Sequence, residues 1–129
     1  MARVPVIRAR GEESRYQDAL AEGRILFQVC EACGAAVWYL RTVCPVCMAA
    51  SLREEVSAGL GTVHTLTTIH RAGHPDRAED VPYTVALVDL DEGIRVIGDL
   101  TSDAAIGDRV RADVRPDGLA FALDEGSRA

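Results

Sequence analysis

The chain contains no lysine; all 14 of its cationic side chains are arginine. That absence excludes a Schiff-base lysine and a lysine-dependent phosphate loop. Aromatic residues are scarce as well, with one Trp, three Tyr and two Phe, so Val, Leu, Ile and Ala must fill most of the core. No apolar run approaches the roughly 18–20 residues of a membrane span. Residues 1–13 lack the apolar stretch of a secretory signal. The expectation is a cytoplasmic protein with no membrane partner. A cationic surplus is also missing. The formal net charge of −6 opposes a general nucleic-acid role, because phosphate binding wants clustered positive charge. No serine stands in a G-x-S-x-G nucleophile elbow.

What remains is ordinary material for a globular protein: 129 residues, 48% hydrophobic and 26% charged. That is one domain, or one domain with a small module, and enough for a core without disulfides. In a reducing compartment its four cysteines read as metal ligands or reactive thiols.

Those cysteines form the one strong chemical motif. Cys30-Glu31-Ala32-Cys33 and Cys44-Pro45-Val46-Cys47 are two C-x-x-C knuckles, ten residues apart. Two residues between thiolates allow a tight turn with backbone N–H groups aimed at sulfur. Two facing turns supply four sulfurs at about 2.3 Å from one tetrahedral zinc. Gly34 permits the positive φ such a turn needs, whereas the second knuckle has Met48 there and must tolerate a side chain. No βαβ unit surrounds either pair, which argues against a thioredoxin-type motif. Iron fits such a site too, but nothing indicates electron transfer. Four thiolates leave no open position for water, so one structural Zn2+ per chain is expected.

The coarse pattern is mainly β. Residues 1–13 read as an extended arm, and Ser14 as the cap of a short helix reaching about Glu22, with Tyr16, Ala19 and Leu20 on one stripe and Gly23 as the stop. Residues 25–29 and 37–40 are strand-like runs beside the knuckles, and residues 51–58 read as a polar connection. From Leu60 onward, five strand patterns follow. Residues 62–69 alternate Val63, Thr65, Thr67 and Ile69 on one face, and residues 83–90 are nearly continuous in apolar side chains. Residues 94–100 return after an Asp-Glu-Gly turn, residues 110–114 follow Ile106-Gly107-Asp108, and Leu119, Phe121 and Leu123 alternate after an Asp117-Gly118 turn. Five short antiparallel strands without a crossover helix point to a small barrel, most naturally an OB-fold. The expected organisation is an arm and helix at 1–23, a rubredoxin-like zinc ribbon at 24–56, a five-stranded OB-fold barrel at 57–124 and a frayed tail at 125–129.

Weaker candidates stand beside plainer readings. His64 and His70 are six residues apart and hence expected on one face, as a general base, a second metal site or simply strand histidines. Asp89, Asp91, Glu92 and Asp99 cluster around the central hairpin, where solvated acids commonly fall. Gly59-Leu60-Gly61 precedes a strand, so no helix N-terminus stands behind it for a phosphate. Trp38, Tyr39 and Arg41 are placed to stack on an adenine, to meet a partner, or to pack the ribbon on its own barrel. Arg71, His74 and Arg77 lie in a long polar loop able to touch a ligand or partner.

Taken in order, several pieces resemble a known family. Ala21-Glu22-Gly23-Arg24-Ile25-Leu26 leads into C-x-x-C-G, and Arg41 precedes C-P-x-C. Ser57-Ala58-Gly59-Leu60-Gly61-Thr62-Val63 opens the barrel. Pro82-Tyr83-Thr84-Val85-Ala86-Leu87-Val88-Asp89-Leu90-Asp91-Glu92-Gly93 and then Ile106-Gly107 follow. From about Tyr16 to Leu123 the chain resembles the proteins that join a rubredoxin-like zinc ribbon to an OB-fold, formerly domain of unknown function 35. The resemblance implies a non-catalytic partner of enzymes acting on coenzyme A thioesters. Those enzymes are thiolase-fold acyltransferases or aldolases, and hydratases, recurrently in lipid and steroid side-chain degradation. It implies a hetero-oligomer, Cys30, Cys33, Cys44 and Cys47 as metal ligands, and no catalytic residue. Tyr39-Leu40 departs from the Pro pair of many relatives. Any coenzyme A phosphate would need local arginines, with Arg24, Arg41, Arg71 and Arg77 the candidates by position. Two other classes remain as alternatives: a single-stranded nucleic-acid-binding OB module, and a stand-alone acyl-CoA hydratase or hydrolase.

Overall fold

A computed structural model describes residues 11–115 and 118–124. Residues 1–10 of the expected arm, Asp117 of the expected final turn, and the expected tail at 125–129 lie outside the described residues.

The helix α1 runs Glu12–Ala21 behind Gly11, so it starts earlier than a Ser14 cap would allow, and Ser14 lies inside it. Glu12 and Glu13 in its first turn oppose the positive end of the helix dipole. The stripe of Tyr16, Ala19 and Leu20 is buried. Gly23, at φ +84°, ends the helix and lets Gly23 N–H donate to Leu20 O at 3.0 Å and Arg24 N–H to Ala19 O at 2.8 Å.

Three strands make the ribbon sheet: β1 Leu26–Cys30, β2 Ala36–Val37 and β3 Leu52–Val56, in the order β2-β1-β3. The second expected run shrinks to a two-residue strand. The expected polar connection is in fact β3, which pairs with β1 from Leu26↔Val56 to Cys30↔Leu52. Its Arg53-Glu54-Glu55 centre is polar because β3 is an edge strand, with one neighbour and a wet face.

The barrel contains β4 Leu60–Ile69, β5 Tyr83–Leu90, β6 Arg95–Leu100, β7 Arg109–Arg115 and β8 Gly118–Leu123. They close in the order β4-β5-β6-β8-β7, antiparallel except for the short parallel β6–β8 contact. This is the five-stranded OB arrangement. Gly61 is required by close approach, since a Cβ there would sit 2.5 Å from Asp89 O. That accounts for this glycine without a phosphate.

The alternation expected along β4 does not survive a bulge. Val63 pairs with Val88 and Thr65 with Leu87, leaving His64 as the extra residue. Val63 and Leu66 therefore face inward, opposite Val88 and Ala86, while Thr65, Thr67 and Ile69 face out. The same inserted residue breaks the parity that would set His64 and His70 on one face.

One core unites the parts. Tyr16 and Leu20 of α1, Ile25 to Phe27 and Leu40 of the ribbon, and Val63, Val88, Val96, Val110 and Phe121 of the barrel form a single buried cluster. A separate small cluster surrounds the cysteines, with Val37 and the half-buried Leu52. At the junction the Glu92 carboxylate accepts from Ser57 Oγ at 2.7 Å and from the Ala58 N–H at 2.8 Å.

Candidate metal centre and barrel surface

The strand β1 delivers Cys30 to the end of the ribbon sheet, where the two knuckles repeat one geometry. Gly34 N–H donates to Cys30 O at 2.7 Å and Cys30 N–H to Ala35 O at 2.9 Å. Met48 N–H donates to Cys44 O, and Cys44 N–H to Ala49 O, both at 2.9 Å. Gly34 has φ +78° and Met48 has φ +68°. The second knuckle thus holds a side chain in the left-handed region, as the missing glycine required.

Cys30 and Cys44 are buried, and Cys33 and Cys47 are exposed. The Cys30 and Cys47 sulfurs are 3.6 Å apart and those of Cys33 and Cys44 3.7 Å, with all four within 4.8 Å of one another. A zinc tetrahedron with bonds of about 2.3 Å has sulfurs about 3.8 Å apart, so the cluster fits one zinc ion. The backbone favours the two buried thiolates. N–H groups of Cys47 and Val46 bring the Cys44 thiol down to about 7, and that of Cys33 lowers Cys30, whereas Cys33, despite the Ala35 N–H, is pushed up to about 12 by desolvation and by the neighbouring thiols. Bound zinc would join the two knuckles and stiffen the ribbon.

Trp38 and Tyr39 leave the ribbon toward the helix, and Trp38 also packs against the shared core. Their rings stack at 3.8 Å, and both meet the Tyr16 ring edge-on, at 6.1 and 5.6 Å. Tyr39 remains 53% exposed. Arg41 is held by its backbone: buried Gln28 donates to its carbonyl at 2.9 Å and accepts its N–H at 2.7 Å. That leaves the Arg41 side chain exposed. Gln28 was missed, although a lone amide in the apolar run 25–29 was a readable signal.

The long loop between β4 and β5 contains a 3-10 turn at Pro75–Arg77, with His74 Nδ1 accepting from Asp76 N–H. Arg71 and His74 are exposed. Arg77 instead turns back onto the barrel. It donates two bonds to Asp99, at 2.8 and 3.2 Å, reaches Asp80 at 3.1 Å, and lies 3.8 Å over the Tyr83 ring. A groove of about 670 Å³ opens there, lined by Asp76, Arg77, Asp80, Ile97, Asp99 and Arg115 among others. Acids outnumber arginines in that set, and Arg77 is already neutralised.

The hairpin acids do not gather into an acid–base pair. Asp89 pairs with Arg95 and Asp91 with Arg109, and each arginine holds its carboxyl below the usual range. Glu92 serves the junction and Asp99 holds Arg77. His64 sits 3.4 Å from Asp89, while His70 lies beyond the end of β4. Arg24 pairs with Glu22.

A zinc-ribbon cysteine cluster joined through one core to an OB barrel defines the class. Two family models cover the chain consecutively: the ChsH2 rubredoxin-like zinc ribbon domain at residues 17–53 and the ChsH2 C-terminal OB-fold domain at residues 54–115. The chain belongs to this zinc-ribbon and OB-fold family, known as DUF35. A DUF35 domain-containing scaffold protein of Methanocaldococcus jannaschii is 33% identical over 91 residues, covering 67% of this chain and 64% of that protein. The 3-oxo-4,17-pregnadiene-20-carboxyl-CoA hydratase alpha subunit of Mycobacterium tuberculosis is 43% identical over 81 residues, covering 60% of this chain but 23% of that subunit. A chain of the Ltp2-ChsH2(DUF35) aldolase superposes with TM-score 0.74 at 29% identity, over 93% of this chain and 98% of that one. The chain thus spans under two thirds of the scaffold relative and about a quarter of the hydratase subunit. Among the described residues, no helix is long and apolar enough to cross a membrane.

Proposed function

We propose that this chain is a non-catalytic subunit that binds a thiolase-fold or hydratase-type acyl-CoA enzyme and helps order its acyl-CoA site. The observation that carries the reading is the match over nearly the full length of a chain in the Ltp2-ChsH2(DUF35) aldolase. The chemistry of the surface agrees. Four thiolates saturate a zinc ion and leave it no vacant position for substrate, and the hairpin acids are committed to arginines or to the junction. Zinc is structural on this reading, and the ribbon at 24–56 and barrel at 57–124 are the working units.

The ribbon supplies apolar contact area for the enzyme. Tyr39, Val43, Val46 and Met48 are all exposed there, beside Trp38 and the Arg41 side chain. Exposed Arg71 and His74 on the barrel loop are the contacts for a partner or a coenzyme A phosphate, while Arg77, held by Asp99 and Asp80, shapes the loop beside them. The acidic groove opposes a nucleic-acid role for the barrel. Reduced thiols suit a cytoplasmic setting.

The test is co-expression with the acyl-CoA enzyme encoded beside it. The enzyme is expected to co-purify with the tagged chain and to lose solubility or activity without it. An enzyme equally soluble and active alone, and not retained by the chain, overturns the reading.

A further inference from the structure

The barrel closes unevenly along β4. Its first residues, Leu60 to Thr62, pair with β7, and the Val63 N–H and C=O are then taken by Asp108 O and Gly107 N–H at 3.0 and 2.9 Å. Beyond His64, β4 has β5 on one side and no strand on the other, among the described residues.

The direction of each backbone group there follows from the hairpin. Leu90 N–H donates to Ile94 O and Leu90 O accepts from Gly93 N–H, so the Leu90 groups point toward β6. Backbone direction alternates along a strand, so Val88, Ala86 and Thr84 also point toward β6, and Leu87, Val85 and Tyr83 toward β4. Across the ladder, Thr65, Thr67 and Ile69 bond to β5, whereas Leu66 and Thr68 pair opposite Ala86 and Thr84 without bonding to them. The Thr68 and Thr84 hydroxyls approach to 3.3 Å, as the narrow, non-bonded pairs of an antiparallel sheet allow. The N–H and C=O of Leu66 and Thr68 therefore point outward from the sheet.

Among the described residues, this edge lacks the usual protection. Residues 65–69 read Thr-Leu-Thr-Thr-Ile, mostly β-branched, with no charge, no proline and no bulge inside the window. An apolar depression of about 250 Å³ adjoins it, lined by Thr65, Thr67, Val85, Leu87 and half-exposed Ile97.

We infer that the edge of β4 at residues 65–69 is a docking strand, which an extended segment of the enzyme subunit joins by backbone pairing. This deepens the proposed function and rests on it. The chemistry selects the occupant. With no charge in the window, the edge suits an uncharged segment, whose alternate side chains would lie beside Thr65 and Thr67 at the margin of the apolar depression. A second copy of this chain fits less well. Pairing five residues buries far less than the roughly 1,200–2,000 Å² of a stable interface. A strand from an enzyme already held elsewhere needs no such area.

The test uses the full chain co-expressed with the enzyme of the preceding section. Thr68→Pro removes the outward N–H but no bond of the β4–β5 ladder, and Thr68→Val keeps that N–H. Thr68→Pro is expected to weaken retention of the enzyme about tenfold or more, with Thr68→Val near wild type. Amides of Leu66 and Thr68 should exchange at least tenfold more slowly in the wild-type complex than in the free chain. Equal retention by all three proteins, with no slowing at those amides, overturns the inference and leaves the accessory-subunit reading standing. If wild type retains no enzyme, both fall together. If Thr68→Pro fails to fold by circular dichroism, the amide exchange of the wild-type complex decides alone.

Discussion

Removing the metal should unfold the outer ribbon and spare the barrel. The buried cluster around the sulfurs consists of Cys30, Val37 and Cys44, with Ala35, Ala49 and Leu52 half-buried against it. Of these, only Val37 and Leu52 are sizeable apolar groups besides the ligands. Burying such a side chain fully contributes about 1.5–3 kcal/mol, so the cluster offers a few kcal/mol in all. A structural zinc offers about 10–16 kcal/mol, so the ion supplies the larger part of the order at the knuckles, residues 30–36 and 43–51. The inner ribbon differs. Ile25, Leu26, Phe27 and Leu40 share the core with Val63, Val88 and Phe121, and that packing involves no sulfur. Chelation, or Cys44→Ser, is therefore expected to raise amide exchange at the knuckles, residues 30–36 and 43–51, while residues 37–41 and the barrel strands keep their protection. Hydrogen exchange read by mass spectrometry, with metal content measured in the same samples, checks it. Metal-free protein still protected at 30–36 and 43–51 would refute the reasoning, and so would a barrel that unfolds in concert with the knuckles.

Glu92→Ala removes the acceptor of two bonds at the ribbon–barrel junction. About 1–2 kcal/mol should go with them, lowering the melting temperature by about 4–8 °C and speeding exchange at the Ala58 amide, with Glu92→Gln milder. Gly61→Ala should cost about 1–3 kcal/mol or more, because the new methyl would press on Asp89 O and, at 2.8 Å, on Val88 Cγ1; urea midpoints give the value. Stability should fall on acidification. Asp89 and Asp91 titrate below their ordinary 3.8 in the folded protein because Arg95 and Arg109 bind the ionised forms. Their contribution is complete above the ordinary value and is lost as pH falls through the lowered folded values. Asp91→Asn should flatten the acid limb of a urea-midpoint titration, and an unchanged limb would remove Asp91 from the account.

Legibility in the sequence followed how local each constraint was. The cysteine cluster was readable because zinc fixes both residue type and short spacing, and Gly34 against Met48 even predicted where a side chain would be held in the left-handed region. Strands β5 and β6 were readable because the Asp-Glu-Gly turn lies between two apolar runs. The third ribbon strand was not, since an edge strand owes its existence to its partner β1 and shows only Arg53-Glu54-Glu55 to inspection. The bulge at His64 was invisible for another reason. Val63, Thr65 and Thr67 alternate equally well with or without an extra residue, and only the pairing with Val88 and Leu87 decides. Long-range partnerships were the least legible. Glu92 reaching Ser57 and Ala58, Gln28 clasping Arg41, and Arg77 returning to Asp99 each join residues that no spacing rule connects.

The same long-range contacts bear on the accessory role proposed above. A subunit that orders another protein's site must hold its contact surfaces in fixed relation. On the proposed reading those surfaces lie on two elements, the ribbon with exposed Tyr39, Val46 and Met48, and the barrel with exposed Ile97 and the edge of β4. Packing of Ile25 and Phe27 among Val63, Val88 and Phe121 fixes one element on the other, and Glu92 closes the linker between them. The zinc ion then acts at the far end, where little packing is available, and its effect is to keep Val46 and Met48 in place. Core, carboxylate and metal thus act in series from barrel to ribbon tip. Loss of any one should weaken partner binding through geometry alone, with the contact residues themselves unchanged.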